Sequence, residues 1–285
     1  MSGAAQAKTS RLVLRSNPRL GLALGALALL VALVALLIAQ PTLAERATAS
    51  DFQARLQAPV TDHWFGTDVL GRDLLARTLQ GLTLSLWVGT AAALLGTLVA
   101  LGLAALACLG PRADVAVGLL VDSVLGLPHL ILLILIAFAL GGGTQAVIIA
   151  VALTHWPSLT RVLRAELLQL RQADYVRLSR RFGKSRGYII RHHLLPALLP
   201  HCLVGGLLLF PHAILHEATL TFLGFGLSPG QPAIGVLLAE SLRYLSAGYW
   251  WLGVFPGLGL LLLVLAFDRL GNALRRLLTP REAQQ

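Results

Sequence analysis

The most informative stretch of the sequence reads Arg177-Leu178-Ser179-Arg180-Arg181-Phe182-Gly183 and, after nine intervening residues, His193-Leu194-Leu195-Pro196. It belongs to a basic loop of about thirty residues between two long apolar segments. Hydrocarbon offers no water to solvate so much charge, so this loop must face an aqueous compartment. Its Lys and Arg content also predicts which side of a membrane it faces. A membrane protein with one large basic inner loop is suited to contact a soluble partner on that side.

Composition supports a membrane protein. Of 285 residues, 56% are hydrophobic and 13% are charged, and the mean hydropathy is +0.75. A typical soluble domain carries about 25% charged residues. The net charge of +10 could indicate nucleic-acid binding, but the charge lies in loops beside apolar runs, which is the pattern of membrane topology, so no nucleic-acid partner is expected. Cys108 and Cys202 are far apart and form no CxxC pair, so we predict that they are small buried hydrophobes.

Six apolar stretches are long enough to cross about 30 Å of hydrocarbon. They cover residues 21–39, 83–107, 115–140, 144–163, 196–216 and 251–267. The third stretch is broken by Pro128 and carries Asp122. The mixed segment 228–248 contains Pro and Gly, and it is predicted to be a partly helical outer loop that dips back among the helices.

Charge predicts the orientation. With the N-terminus inside, the inner segments hold 18 Lys and Arg residues and the outer segments hold five. This asymmetry predicts an N-in, C-in protein with an even number of spans. The first apolar run is longer than the 7–15 residues of a signal peptide, so an uncleaved anchor is favoured over a cleaved leader. The predicted fold is all-α with six transmembrane helices.

The predicted domain organisation follows from these spans. It comprises a cytoplasmic tail (1–20), a first transmembrane helix (21–39), an outer segment (40–81), a core of five further helices (82–280) and a C-terminal tail (281–285). The core contains the inner loop at 164–195.

Local chemistry predicts two helical stretches in the inner loop, 174–182 and 185–192. Asp174 is predicted to be the N-cap of the first stretch, and Gly183 is predicted to occupy a C′ position with positive φ. The first stretch carries Tyr175, Val176, Leu178 and Phe182 among arginines. A short helix with apolar anchors and a charged rim is suited to a groove on a partner. The alternative is a basic loop that only maintains topology.

The spacing of this loop resembles that of the inner-membrane permease subunits of binding-protein-dependent ABC importers, in the dipeptide, oligopeptide and nickel branch. In that family the loop reads Glu-Ala-Ala, three residues, Gly, nine residues, an apolar position, one residue and Leu-Pro. The chain keeps this spacing with Arg177-Leu178-Ser179, Gly183, His193 and Leu195-Pro196. It departs from the family at all three Glu-Ala-Ala positions.

Further motifs are similar to those of the same branch and occur in the same order. They are His63 to Asp73 before the second span, Asp122 to Pro128 in the third, the set Trp156, Arg161, Arg164 and Tyr175-Val176, the run Glu217 to Gly226 after the fifth span, and Gly271 to Arg275 with Asn272 where Asp is usual. The resemblance extends from about His63 to Pro280.

The resemblance implies the type I ABC permease fold in a bacterial inner membrane. It also implies a second permease subunit in a heterodimer, two ATP-binding subunits and a soluble substrate-binding protein. The residues that it implies for coupling to the ATPase are Tyr175, Val176, Arg177, Leu178, Ser179, Phe182, Gly183, His193, Leu195 and Pro196.

The sequence does not predict an enzyme. It contains no Gly-x-x-x-x-Gly-Lys-Ser/Thr phosphate loop, and no spacing indicates a nucleophile with its base. No cofactor is expected in this chain, and the resemblance implies that ATP and Mg bind to the partner subunits.

Histidines suggest the cargo. His212 and His216 are four residues apart, so they share a helix face, and imidazole suits nickel, cobalt, copper and zinc. Glu217 could add an oxygen ligand. Polar groups at this depth usually face a cavity or a helix contact. These three residues are predicted to be metal ligands along the transport pathway, and the alternative is hydrogen bonding between helices or snorkelling at the outer interface.

Nickel-type members of the family resemble this stretch, so the predicted cargo is nickel or another metal or metal chelate, with the nickel-type second permease subunit as the nearest match. The alternative is a dipeptide or oligopeptide importer. A hypothesis from a different class is a stand-alone channel or secondary carrier.

Overall fold

The computed structural model describes residues 21, 25–27, 31, 34–35 and 38–278. Within these residues the chain is helical and contains no β-strand, which confirms the predicted all-α class. The predicted first transmembrane helix at 21–39 falls largely outside the described residues, as do the predicted tails at 1–20 and 281–285.

The helices of the described residues are numbered here in chain order. They are α1 (Gln40–Thr48), α2 (Leu74–Ala107), α3 (Pro111–Leu125), α4 (His129–Ala139), α5 (Gly143–Leu170), α6 (Asp174–Arg181), α7 (Arg186–Ile189), α8 (Leu195–Phe222), α9 (Ile234–Leu245) and α10 (Trp251–Leu278). A 3₁₀ turn covers Phe52–Ala54, and a π-helical turn covers Ile190–Leu194.

Four continuous helices of the described chain are long and apolar enough to cross a membrane: α2, α5, the combined helix Arg186–Phe222, and α10 over Trp251–Arg275. The pair α3 and α4 passes the same test together but is bent by 93°. The bend falls at Gly126-Leu127-Pro128, because proline disfavours a helical conformation in the residue before it. The second to sixth predicted spans each fall on one of these helices.

The long helices pack closely where their residues are small. α2 packs against α5 and α8, and α8 also packs against α10. At Gly89 of α2, an added Cβ would lie 2.6 Å from Cγ1 of Ile214 in α8. Small residues of this kind let helices in a membrane approach each other.

Buried side chains form separate clusters towards the two ends of the bundle. One cluster joins α2, α3, α5, α6, α7 and α8, and it includes Trp156, Leu163, Val176, Ile189 and Leu198. We call the end that carries α6 the arginine-rich end. Cys108 and Cys202 are both buried and free in this cluster, as the sequence predicted.

The segment predicted to dip back among the helices contains α9. This helix packs against α2, α8 and α10. Gly235 makes the contact with α8 close, because an added Cβ there would lie 2.4 Å from the carbonyl oxygen of Ala218.

A polar turn precedes α2, and we call residues 51–73 the capping segment. Its centre is the buried Asp68, whose carboxylate accepts hydrogen bonds from the backbone N–H groups of Leu70 and Arg72 at 2.8 and 2.9 Å. It also pairs with Arg72 Nε at 2.6 Å and with Nη1 of the buried Arg77 at 2.5 Å. Arg77 reaches Glu240 of α9 at 3.1 Å as well. These ion pairs tie the capping segment to α2 directly and to α9 through Arg77.

Backbone geometry in the capping segment demands glycine at residue 71. Gly71 has φ of +76°, and an added Cβ would lie 1.7 Å from the carbonyl oxygen of Asp51. Asp73 then caps α2, because its side chain accepts a hydrogen bond from the Ala76 N–H at 2.8 Å.

Candidate coupling surface and histidine cluster

The end of α6 is set by Gly183. Gly183 has φ of +73°, its N–H donates to the Arg180 carbonyl at 3.0 Å, and the Lys184 N–H donates to the Ser179 carbonyl at 3.1 Å. This pair of bonds is the Schellman motif, which satisfies the last carbonyls of a helix. The predicted C′ role of Gly183 is confirmed.

The start of α6 differs from the prediction. Asp174 is the first residue of the helix, Ala173 is the N-cap, and no side chain caps the helix. The predicted N-cap role of Asp174 is therefore wrong. Its carboxylate lies in the first turn, where a negative charge interacts favourably with the helix dipole.

One residue of α6 anchors it to the bundle. Val176 is fully buried and belongs to the cluster that includes Leu163 and Leu198. Ser179 adds a second contact, with its Oγ 2.9 Å from Nε2 of His193. The short helix is therefore held against the membrane-spanning helices by both apolar and polar contacts.

The rest of the apolar set on α6 is exposed. Tyr175 is 45% exposed, Leu178 is 50% exposed and Phe182 is 78% exposed. Arg177 and the arginines that follow Ser179 surround them, and all of these arginines are exposed or half-buried. We call Tyr175, Leu178 and Phe182, with their arginine rim, the α6 face.

A basic cleft borders the α6 face. It has a volume of about 250 Å³, and its lining includes Arg171, Arg180, Lys184 and Arg186. Arg186 is fixed there, because its Nη1 donates to the Leu109 carbonyl at 2.9 Å. The arginine-rich end thus combines exposed apolar side chains with a concentration of positive charge.

The second half of the predicted loop is joined to a membrane-spanning helix. α7 begins after Ser185, whose side chain accepts a hydrogen bond from the Tyr188 N–H at 3.2 Å. The chain then continues through the π-helical turn into α8 without a break. The predicted stretch 185–192 therefore does not end at 192. The π turn lies just before Leu195-Pro196, where proline has no N–H to donate and its ring would crowd an ordinary α turn.

The structure does not bring the three predicted metal ligands together. Both Glu217 oxygens face other partners, because Oε2 accepts from Ser85 Oγ at 2.6 Å and Oε1 accepts from Thr221 Oγ1 at 3.1 Å. His212 is exposed, and its Nδ1 lies 3.1 Å from the Leu208 carbonyl. Only His216 lies in a compact group of potential ligands.

The partners of His216 are two histidines that sequence spacing did not link. One ring nitrogen from each of His129, His155 and His216 lies within 4.8 Å of the others. The residues come from α4, α5 and α8 and are half-buried. They are far apart in sequence, so no local motif could pair them, although a polar side chain in an apolar span is an indication of function by itself. We call this group the histidine cluster.

Comparison with known proteins places the chain in a family. Residues 92–282 match the family described as the inner membrane component of binding-protein-dependent transport systems. The dipeptide transport system permease protein of Bacillus subtilis is 36% identical over 224 residues, covering 78% of this chain and 70% of that protein. A Brucella suis biovar 1 protein named as a peptide transport system permease is 36% identical over 271 residues, covering 95% of this chain and 90% of that protein.

A solved structure agrees at the level of fold. It is a crystal structure of an amino acid ABC transporter with histidines, with a TM-score of 0.54 and 17% identity, covering 71% of this chain and 94% of that one. The chain belongs to the family of binding-protein-dependent ABC importer permeases, and it is a multi-pass protein of the bacterial inner membrane. Family membership also answers the hypothesis of a stand-alone channel or secondary carrier, because such a permease is one component of a larger system.

Proposed function

We propose that this permease subunit carries short peptides, and that the α6 face couples it to the ATPase subunits of its importer. The peptide cargo rests on the names of the similar permeases in Bacillus subtilis and Brucella suis. These names favour the peptide alternative over the nickel cargo that the sequence had suggested. The remaining partners are those that the family resemblance implies: a second permease subunit, two ATP-binding subunits and a soluble binding protein.

The proposed coupling role rests on one observation. One side of α6 packs against the bundle, whereas the apolar side chains of the other side are exposed. Val176 is fully buried, whereas Phe182, six residues later, is 78% exposed. An aromatic side chain left this exposed beside arginines has the character of a binding anchor rather than of a folding contact. A groove with an apolar floor and acidic edges would match it.

The way in which α6 is joined to the bundle suits the transmission of movement. When partner ATPases bind ATP and close on each other, a force on the α6 face reaches α5 through the buried contacts of Val176. The same force reaches α8 through the Ser179–His193 contact, because His193 lies in the π turn that continues into α8. Both long helices would then move together, and the access of the peptide pathway would change.

The test is Phe182→Asp in the assembled importer. A carboxylate at this exposed site leaves folding intact but removes the apolar anchor. We expect normal membrane insertion, loss of co-purification with the ATPase subunits, and at least about a tenfold loss of peptide-stimulated ATP hydrolysis, in the range of a binding hot spot.

The matched control is Phe52→Asp. Phe52 is another phenylalanine of high exposure, 66%, and it lies in the capping segment. This control should keep its ATPase subunits. The proposed role of the α6 face would be contradicted if Phe182→Asp kept its ATPase subunits and its peptide-stimulated ATP hydrolysis. It would also be contradicted if both variants lost these properties equally. If ATP hydrolysis were normally stimulated by a cargo other than a peptide, only the proposed peptide cargo would be contradicted, and the proposed role of the α6 face would stand.

A further inference from the structure

The histidine cluster has the arrangement of a ligand set. Ring centroids are separated by 4.8 Å for His129–His155, 4.6 Å for His129–His216 and 5.0 Å for His155–His216. The rings are inclined to one another by 82°, 55° and 64°, so none of the pairs is stacked face to face. The three rings are inclined to one another at nearly equal separations, and one nitrogen from each lies within 4.8 Å of the others.

Hydrogen bonding prepares His155 as a ligand. Its Nδ1 lies 2.8 Å from the Val151 carbonyl oxygen. A carbonyl only accepts, so Nδ1 carries the proton, and the neutral ring keeps its lone pair on Nε2. Metal-bound histidines usually have the second nitrogen held in this way.

A second observation comes from His129. Its Nε2 is buried and has no hydrogen-bond partner among the described residues. Among the described residues, His216 likewise makes no side-chain hydrogen bond, and neither His129 nor His216 forms an ion pair with an acidic group. A buried nitrogen without a partner costs free energy, and a cation bound at Nε2 would remove that cost for His129.

The position of the cluster within the fold also indicates a binding site. His129 is the first residue of α4, directly after the 93° bend. His216 lies about 9 Å from the end of α8, and His155 lies about 18 Å from the start of α5, at the 1.5 Å rise of an α-helix. Both positions are inside the apolar length of their helices. Binding sites in membrane transporters often form where a spanning helix is broken.

The dimensions fit a transition metal after a small contraction. At a metal–nitrogen distance of about 2.0–2.1 Å, tetrahedral coordination places ligand nitrogens about 3.3 Å apart. The three nitrogens of the cluster lie within 4.8 Å of one another, so side-chain rotation must bring them about 1.5 Å closer. Three imidazoles leave a fourth position open, as in sites that exchange a ligand.

From this geometry we infer that His129, His155 and His216 form a binding site for a divalent transition-metal ion of the zinc, nickel and copper class, with three imidazole ligands and one open position. This site replaces the predicted set of His212, His216 and Glu217. It goes beyond the proposed peptide transport and does not depend on it.

Metal titration tests the site in the assembled importer, purified through a tag without histidine and stripped with a chelator. Zn²⁺ is titrated against a chromophoric chelator. We expect one tight site per copy of this chain. His216→Gln and the double variant His129→Asn, His155→Asn should each weaken binding by at least about tenfold, because each removes a ligand and loss of a ligand's hydrogen-bonding partner alone costs about 10–100-fold.

His201→Asn is the matched control. His201 is also half-buried with an unpartnered Nδ1, but its Nε2 faces Glu166 at 3.7 Å and it lies outside the cluster. Zn²⁺ affinity should not change in this variant. Loss of Zn²⁺ binding in His201→Asn equal to that in His216→Gln would overturn the assignment.

A measurement on the unaltered protein tests the site without relying on variants that could misfold. Pulsed electron paramagnetic resonance with Cu²⁺ counts coordinated imidazoles, and all eight histidines of the chain lie in its described part. We expect three imidazoles that all disappear in the triple variant. Two imidazoles, which the pair His212 and His216 would supply, or no stoichiometric metal at all would overturn the inference. Peptide-stimulated ATP hydrolysis in the same sample tests the proposed function separately.

Discussion

The capping segment and the arginine-rich end both combine arginine with glycine, yet they use these residues in opposite ways. In the capping segment, Asp68 pairs with both Arg72 and the buried Arg77, and Gly71 lies against the backbone of Asp51. At the arginine-rich end, Phe182 is exposed and an added Cβ on Gly183 would meet no atom within 4 Å. The charged groups of the capping segment find their partners within the chain. The arginine-rich end exposes an aromatic ring and charges that another protein could contact.

This difference shows that a motif does not reveal its role by composition. Both regions matched family patterns in the sequence. Only the contacts separate a motif that holds the bundle together from one that faces outward.

Loss of the Asp68 carboxylate should destabilise the capping segment more than any other change considered below. Asp68→Ala leaves the buried Arg77 with only the half-exposed Glu240 as a partner, so we expect a stability loss of about 3–5 kcal/mol, typical of breaking a buried ion pair. Thermal unfolding of the purified protein in detergent measures it. Glu240→Gln is the control and should cost about 1 kcal/mol or less. Equal losses in the two variants would show that Asp68 is not the centre of this network.

Substitution of Gly71 and of Gly183 should affect stability to different extents. Gly71→Ala combines a positive φ with a backbone overlap, so we expect a loss of more than about 2 kcal/mol. Gly183 also has a positive φ, but an added Cβ would lie in open space. Gly183→Ala is therefore expected to lower stability by only about 1 kcal/mol. Thermal unfolding of both variants, side by side, provides the measurement. A larger loss for Gly183→Ala would reverse the contrast between the two ends.

Charge reversal tests the outward role of the arginine-rich end. The double variant Arg180→Glu, Arg181→Glu should weaken ATPase-subunit binding by about tenfold at low salt, and less at high salt because surface charges are screened. Arg243→Glu, an exposed arginine on α9, is the control and should have no effect on binding. The affinity of the ATPase subunit for each variant is measured at two salt concentrations. Loss of binding that does not depend on salt would argue against an electrostatic contribution.

The smallest expected effect concerns the link from α6 to α8. Ser179→Ala removes the contact with His193 and should cost about 1 kcal/mol of stability. If this contact also transmits movement, peptide transport per ATP hydrolysed should fall while ATPase binding stays unchanged. A proteoliposome assay measures both quantities. An unchanged ratio would restrict Ser179 to a structural role.

The positions of the long helices could be predicted from the sequence. A segment that crosses a membrane as a helix must be apolar over a long stretch, and hydropathy detects such stretches. The break at Pro128 and the positive φ of Gly183 followed from the stereochemistry of single residues. The N-cap at Asp174 was predicted wrongly, because a capping residue type was assigned one position away from where the backbone leaves the helical conformation.

The histidine cluster shows the limit of such prediction. The i, i+4 pattern correctly placed His212 and His216 on one helix, but ligand sets depend on which helices meet. His129 and His155 approach His216 only because α4, α5 and α8 come together at the bend. Glu217, adjacent to His216 in sequence, points to Ser85 of α2.

Crosslinking at the α6 face tests whether this face contacts an ATPase subunit. Both native cysteines are buried, so Phe182→Cys introduces one exposed thiol into the full chain. A thiol-specific reagent whose second group is activated by light should join this residue to an ATPase subunit in the assembled importer, and Phe52→Cys should form no such product. Capture of the ATPase subunit from residue 52 but not from residue 182 would show that the α6 face is not the coupling surface.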